Sequence, residues 1–401
     1  MDYQFDKPIS RRGTLSMKWE VGESELPMWV ADMDFETAPE IHEAIRKRAE
    51  HGVFGYTIIP EEWYDSIREW WKKRHHFHLK KEWLIFCTGV VPAISTAVRK
   101  LTSVAEKIVL LTPVYNIFFN SIVNNGRNVV ECPLTYDGES YGVDFEKLER
   151  VIADPQTTML IFCNPHNPVG KIWEKETMER IGALCWKHHV VVISDEIHCE
   201  LTDPGKEYIP FASVSEECKK NRITCIAPTK AFNLAGIQTA AVMVPDPYLR
   251  HQMGRALNTD EVAEPNVFAM TAAIAAYREG GPWLDGLRAY LYENKQTAKA
   301  FLEQELPEIH LVESEATYLL WLDCRELVED TEELEQVLRK ETGLYLSNGG
   351  QYGESGKSFL RMNIACAHTV LEDGLERLKT GVQAWKDCRA DGRNPEPYLG
   401  M

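Results

Sequence analysis

Five short apolar runs in the middle of the chain each end in residues able to do chemistry. The ends are Thr88-Gly89-Val90-Val91, Thr112-Pro113-Val114-Tyr115, Asn164 through Gly170, Asp195-Glu196-Ile197-His198, and Thr229-Lys230. In an open α/β sheet, ligands bind in the crevice outside the carboxyl ends of the strands. One polar strand end would mean little; five in order aim several groups at one place.

Lys230 follows the run ITCIAPT. A lysine there can snorkel its head into water. It can also be an amine partly stripped of solvent, its pKa lowered, ready to condense with an aldehyde. Asp195, at the end of VVVIS, favours the second reading. A buried acid needs a cation or a protonated nitrogen beside it. A pyridinium N–H supplies one, and the ring then acts as an electron sink. The bland alternative for Asp195 is an ion pair within the protein.

The other ends fit a flat, phosphorylated ligand. Asn164-Pro165-His166-Asn167-Pro168-Val169-Gly170 follows MLIFC, and its prolines and glycine fix a turn from which Asn167 can reach a phenolic oxygen. Thr88-Gly89-Val90-Val91-Pro92 precedes a helical pattern, AISTAVRKL, whose N-terminus suits a phosphate, with Gly89 allowing close approach. Tyr115 can stack on a flat ring or simply pack in the core. His198 should face the ligand or its near shell. Arg361, inside the apolar run FLRMNIAC, calls for a carboxylate matched by its planar fork, either a substrate's or a structural partner's. His75, His76 and His78 suggest a metal at first sight. They are read instead as the end of an exposed basic helix with no carboxylate or cysteine set at ligand spacing, and no metal is expected. His188-His189 reads as another helix end.

These residues need a frame. The runs IVLLTP, NVVECPL, MLIFCNP, VVVISDE, ITCIAPTK and AAVMVP are short, rich in β-branched residues and separated by helical stretches. That pattern predicts a mostly parallel sheet covered on both faces, hence an α/β fold. A helix is expected from Thr37, with a Thr37/Glu40 capping box and Gly52 past its end, and another over about 61–74 with Trp63, Ile67, Trp70 and Trp71 on one side. From Pro282 onward a long helix, the strand ATYLLWLD, the helix EELEQVLRKETG, the strand FLRMNIAC and a final helix suggest a smaller α+β domain. The expected division is a large domain over 46–280 and a small one from 1–45 with 281–401. The polar tail after Lys386 is expected to be loosely held.

With 401 residues, 44% of them hydrophobic, the chain can bury a large core, while its formal charge of −17 disfavours nucleic acid and anionic lipid as partners. No apolar run has the length of a membrane span, and the N-terminus lacks an apolar signal region. The ten cysteines include no CxxC pair and read as reduced thiols of a cytoplasmic protein.

The motifs WVADMDF, FGYT, TGVVPA, TPVYNIFF, FCNPHNPVG, SDEIHCEL, APTKAFNLAG, GPWLD, TYLLWLD and FLRMNIAC together resemble the MalY/PatB group of cystathionine β-lyases, or C–S lyases. That group uses pyridoxal 5′-phosphate (PLP) and lies within the fold-type-I, class I/II aminotransferase superfamily. The resemblance covers nearly the whole chain. It implies a PLP-dependent transferase-like fold and β-elimination from L-cystathionine or another S-substituted cysteine, with an amino-acid aminotransferase as the alternative. It implies Lys230 as the Schiff-base lysine, Asp195 as the partner of the ring nitrogen and Asn167 as the partner of the phenolic oxygen. It places Gly89, Val90, Val91 and Thr229 on the phosphate and Tyr115 on the ring. Arg361 would take the substrate carboxylate, with Asn167 and the backbone near Ala31. Tyr56 would reach the phosphate of a neighbouring subunit, which implies a homodimer with shared sites. Three positions depart from typical aminotransferases of the superfamily. His198 stands where a tyrosine is usual, which favours the lyase group. Gln238 stands where many carry an arginine against the phosphate, and Ala227 where many carry a serine.

Overall fold

The apolar runs become the strands expected of them. The computed structural model describes residues 3–390. Seven strands form the large sheet: β1 Leu84–Cys87, β2 Lys107–Leu110, β3 Asn128–Glu131, β4 Thr157–Cys163, β5 Val191–Asp195, β6 Arg222–Ile226 and β7 Ala240–Met243, in the order β1-β7-β6-β5-β4-β2-β3. Only β7 runs antiparallel to its neighbours; β6, β5, β4, β2 and β3 pair in parallel. Side chains alternate between the faces, and both faces are buried. Ile108, Ile161, Ile193 and Ile223 pack on one side, and Val109, Leu160, Phe162 and Val192 on the other. A parallel sheet covered on both faces is why these runs are apolar throughout rather than alternating.

The parallel register lines up the strand ends. Cys163 pairs with Asp195, and Asp195 with Cys225. The chain leaves β4, β5 and β6 at nearly one level, so the loops that follow open on one crevice.

Helix α1, Pro39–Glu50, begins two residues later than the capping-box spacing suggests. The Thr37 hydroxyl does not cap it; it donates to the Phe232 carbonyl at 2.7 Å. Tertiary contact has outbid the local cap, and Pro39, which needs no N–H partner, opens the helix instead. Helix α2, Glu61–His75, buries Trp63, Ile67, Trp70 and Trp71 as the spacing predicts. Helix α3, Val90–Leu101, follows β1 directly, and α4, Lys175–Lys187, ends at His188 as expected. After β7 come α5, Ala269–Glu279, and α6, Gly281–Glu305. A second, antiparallel sheet follows in the order β8-β9-β11-β10, from β8 His310–Leu311, β9 Leu319–Asp323, β10 Ser347–Asn348 and β11 Phe359–Asn363. Helix α7, Glu332–Thr342, stops at Gly343, whose φ of 71° is a left-handed cap that a side chain would resist. Helix α8 runs over His368–Ala390, past Lys386; the rest of the tail lies outside the described residues.

One sequence expectation fails here. His75 is not on an exposed helix end without a carboxylate. Its side chain is buried, and its Nε2 lies 2.7 Å from Oε1 of Glu200. The same oxygen accepts from Trp70 Nε1 at 2.6 Å, and Arg74 sits 3.4 Å from the other. The His75, Cys199 and Glu200 ligand atoms lie within 4.8 Å of one another. The Arg74 guanidinium already provides the cation this buried acid needs. The spacing rule missed the pair because its members stand 125 residues apart.

All ten cysteines are free and nine are buried. Among the described residues no helix is long and apolar enough to cross a membrane.

Candidate active site

The five strand ends enclose a cavity of about 270 Å³. Ten of the twelve residues singled out from the sequence line it: Ala31, Gly89, Val90, Val91, Tyr115, Asn167, Asp195, His198, Thr229 and Lys230, joined by Thr88, Pro92, Cys163, Ile197, Ala235 and Gln238. A larger open groove of about 1300 Å³ between residues 20–25 and 339–343 is lined by surface charges of both signs and holds none of this chemistry.

Each group is placed by a local feature of the chain. Val90 and Val91 open α3, and Gly89, extended, precedes it without a side-chain cap. The first N–H groups of a helix have no partner within it, so proline is tolerated at 92 and the Val90 and Val91 amides stay available. In the loop after β4, Gly170 has φ of 70°, and a Cβ there would lie 2.4 Å from Cβ of Ser314. Only glycine fits that turn, which sends Asn167 back into the cavity.

Burial sets the electrostatics. Asp195 is pushed up to about 7, first by burial and then by Glu196, against the pull of the Ile197 N–H and Lys230. Lys230 is brought down to about 8, by burial and the nearby Arg361, with Asp32 and Asp195 opposing. His198 falls to about 3, through burial and the cations Lys230 and Arg361, and its Nδ1 has no partner. Tyr115 is raised to about 12, chiefly by burial. The cavity therefore holds an amine that can lose its proton near neutrality, a carboxyl with no ion-pair partner among the described residues, and a neutral imidazole.

Arg361 does not line the cavity itself. It lies buried on β11 behind Asn167, donating to Asn167 Oδ1 at 3.3 Å and to the Trp29 carbonyl at 2.7 Å, with its guanidinium 4.9 Å from the Tyr352 ring. Its Nε is buried and has no acceptor among the described residues. Tyr56 is fully exposed and is not brought to its own chain's cavity.

The resemblance placed the backbone near Ala31 at the site, but sequence reasoning did not show what holds the strap over this crevice, residues 29–35. Asn363 Nδ2 donates to the Val30 and Asp32 carbonyls at 2.5 and 2.6 Å. Asn233 Nδ2 holds the Met33 and Phe35 carbonyls, both at 2.9 Å. The Ala31 carbonyl accepts from Lys230 Nζ at 2.5 Å and from the Tyr318 hydroxyl at 3.0 Å. One signal was available: Asn363 stands two residues past Arg361, hence on the same face of the strand.

The PLP that the sequence resemblance implies can be tested against these groups. A phosphate needs unbonded amides and a hydroxyl, which Val90, Val91 and Thr229 offer. A ring nitrogen needs a buried acid without its own cation, as Asp195 is. An aldehyde needs a desolvated amine, as Lys230 is. The residues present fit the group.

Comparison with known proteins agrees. The chain matches the aminotransferase class I and II family over residues 26–378. It is 41% identical over 384 residues to the cystathionine beta-lyase PatB of Bacillus subtilis, covering 94% of this chain and 99% of that one. It is 33% identical over 394 residues to protein MalY of Escherichia coli, covering 95% and 99%. It is similar in structure to cystalysin from Treponema denticola, which contains a pyridoxal 5′-phosphate cofactor, with a TM-score of 0.92 at 34% identity over 96% of this chain and 100% of that one. The PLP-bound C-S lyase of Staphylococcus hominis gives a TM-score of 0.88 at 30% identity over 95% and 98%.

Proposed function

The chain belongs to the class I and II aminotransferase family, and from that premise we propose that it is a PLP-dependent carbon–sulfur β-lyase. Its substrate is L-cystathionine or a related S-substituted cysteine, and its products are a thiol, pyruvate and ammonia. The observation that carries this reading is the near-full-length likeness to a cystathionine beta-lyase.

Lys230 would hold the cofactor covalently, with Asp195 at its ring nitrogen, Asn167 at its phenolic oxygen, Tyr115 on its face and His198 alongside. The Gly89-Val90-Val91 turn and Thr229 would hold its phosphate. When bound, PLP supplies a conjugated ring that draws electrons from the substrate's α-carbon. The protein's own work is positional and protonic. Arg361, helped by Asn167 and the backbone near Ala31, binds the substrate carboxylate and fixes rotation about the Cα–N bond. A substrate held in this way would present its Cα–H bond to Lys230. Lys230 Nζ, once free, would take the α-proton; a lysine near 8 is a sufficient base close to neutral pH. The electron pair left at Cα forms the Cα–Cβ double bond as the Cβ–S bond breaks. The leaving thiolate takes a proton, which the Lys230 ammonium can give. The released 2-aminoacrylate hydrolyses to pyruvate and ammonia.

We also propose a homodimer in which Tyr56 of a second copy completes the phosphate site. The full exposure of Tyr56, beside the exposed Val53, Phe54 and Ile58, supports it. The free, buried cysteines support a cytoplasmic setting. The two separate sheets support the division into 46–280 and 1–45 with 281–401, although α1 runs across its first boundary.

The deciding experiment is a product assay on L-cystathionine without added keto acid. Pyruvate, ammonia and homocysteine should form over many turnovers. Turnover that stops after one equivalent, leaves pyridoxamine phosphate and restarts with a keto acid would make the protein an aminotransferase.

A further inference from the structure

Lys230 and Tyr318 converge on one acceptor. Lys230 Nζ and the Tyr318 hydroxyl both donate to the carbonyl of Ala31, at 2.5 and 3.0 Å. That carbonyl cannot turn aside to favour one of them, because Asn363 holds the carbonyls on either side, those of Val30 and Asp32. Asn363 is fixed in turn by the Ala365 N–H on its Oδ1 at 2.8 Å. Tyr318 is itself firmly set. It is fully buried, and the preceding residue, Thr317, is held at φ of 71°. A β-branched residue in that region is strained, and such strain persists only where surrounding contacts enforce it. The Thr317 N–H, bonded to the Leu201 carbonyl at 2.7 Å, is one such contact.

We propose that Tyr318 is a positioning residue that shares the Ala31 carbonyl with Lys230 and so limits how tightly that oxygen can hold the lysine ammonium. The proposal rests on the reading of Lys230 as the reactive amine. A hydrogen bond from a charged donor is roughly twice as strong as one from a neutral donor, so an unshared Ala31 carbonyl would stabilise the ammonium more than the neutral amine. A second donor on the same oxygen brings another positive hydrogen close to the ammonium and draws off the density it would use. The free amine is then easier to reach, and Lys230 is easier to release for its next bond. The other charged or titratable groups around Lys230 are Asp32 on the strap, Asp195 at the end of β5, His198 in the turn beyond it, Arg361 on β11, and Tyr115 and Cys163 in the cavity wall. None of them bonds the Ala31 carbonyl.

The test uses the full chain freed of cofactor, with no substrate. Trinitrobenzenesulfonate labels amines only in their neutral form, so the labelling rate of the Lys230 peptide, read by mass spectrometry as pH is raised, gives the titration midpoint of that lysine. In Tyr318→Phe, which keeps the ring, the midpoint should move up by roughly half a pH unit or more. Replacing Tyr318 by 3-fluorotyrosine, a stronger donor of nearly the same shape, should move it down. The second variant keeps the test decisive should the phenylalanine variant fold poorly. A midpoint that stays put in both, or falls in the phenylalanine variant, overturns the proposal. A Lys230 that titrates like a surface lysine in the unaltered chain removes the premise and the proposal with it. Because no substrate is present, a wrong assignment of reaction type would leave the labelling result unchanged.

Discussion

Asp195→Asn should make the cofactor-free protein more stable at neutral and alkaline pH. In the folded chain without a cation beside it, the Asp195 carboxyl is raised from 3.8 to about 7, mainly by burial. The unfolded chain releases that proton at its ordinary pKa, so the folded state binds it more tightly. The resulting penalty on folding is absent below the unfolded pKa, grows as pH rises towards the folded one, and then levels off. Three pKa units at about 1.4 kcal/mol each give a penalty on the order of 4 kcal/mol. Asparagine has the same shape and no charge, and its oxygen can keep the Ile197 N–H bond seen at 3.1 Å. Its new N–H₂ lacks an acceptor, which offsets part of the gain and leaves roughly 2–3 kcal/mol. Urea titrations of the cofactor-free chain should show this advantage at about pH 8 and lose it by about pH 4. With saturating cofactor the order should reverse, because the ring nitrogen gives the wild-type carboxylate its cation and the asparagine gains nothing comparable. A variant no more stable than wild type at about pH 8, or one whose advantage does not fade in acid, would refute the view of Asp195 as a buried carboxyl waiting for a cation.

Borohydride treatment of the yellow, cofactor-loaded protein should fix the cofactor to one peptide containing Lys230; label on another lysine ends that assignment. Arg361→Ala should lower kcat/KM on cystathionine by roughly a hundredfold or more, and weaken cofactor binding much less, as equilibrium dialysis can show. Tyr56→Phe should weaken cofactor retention while leaving the circular dichroism spectrum intact. Mixed dimers that pair a subunit lacking Lys230 with one lacking Tyr56 should recover activity at one site in two, and a failure to recover any would exclude sharing.

What the sequence made legible follows from how each feature is encoded. The strands of the large sheet were readable because strands buried on both faces must be continuously apolar, and each was bounded by turn residues. The cavity was readable because a parallel sheet sends every crossover from the same edge; knowing where Asp195 and Lys230 end their strands nearly places them together. Arg361 could be assigned to a carboxylate but not to its position behind Asn167, since that depends on how the second sheet packs against the first. The partners that fix the strap were invisible for a related reason. Its carbonyls are held by Asn233, Tyr318, Lys230 and Asn363, about 200 to 333 residues away in the chain, and nothing in local pattern records such partners. The His75–Glu200 pair and the Thr37–Phe232 bond failed to be read on the same ground: a side chain's best partner was tertiary, and the local rule named a weaker one.

The departures at Gln238 and Ala227 bear on how this chain can hold a phosphate at all. Gln238 lines the cavity in a left-handed turn, with φ of 57°, and Ala227 is buried. Of the residues lining the cavity, Lys230 alone is cationic, and its nitrogen is committed to the aldehyde in the proposed enzyme. From its own chain a phosphate held as proposed would meet dipoles: the Val90 and Val91 amides at the start of α3, that helix's positive end, and the Thr229 hydroxyl. The first turn of α3 carries no acidic residue to oppose it. Each such contribution is modest, of order 1 kcal/mol. A hydroxyl from Tyr56 of a second copy would then be a substantial share of the whole rather than a supplement. Under that arrangement, cofactor retention and subunit association become two readings of one equilibrium, because a ligand that binds only the assembled state stabilises assembly by the same free energy that assembly lends to its binding.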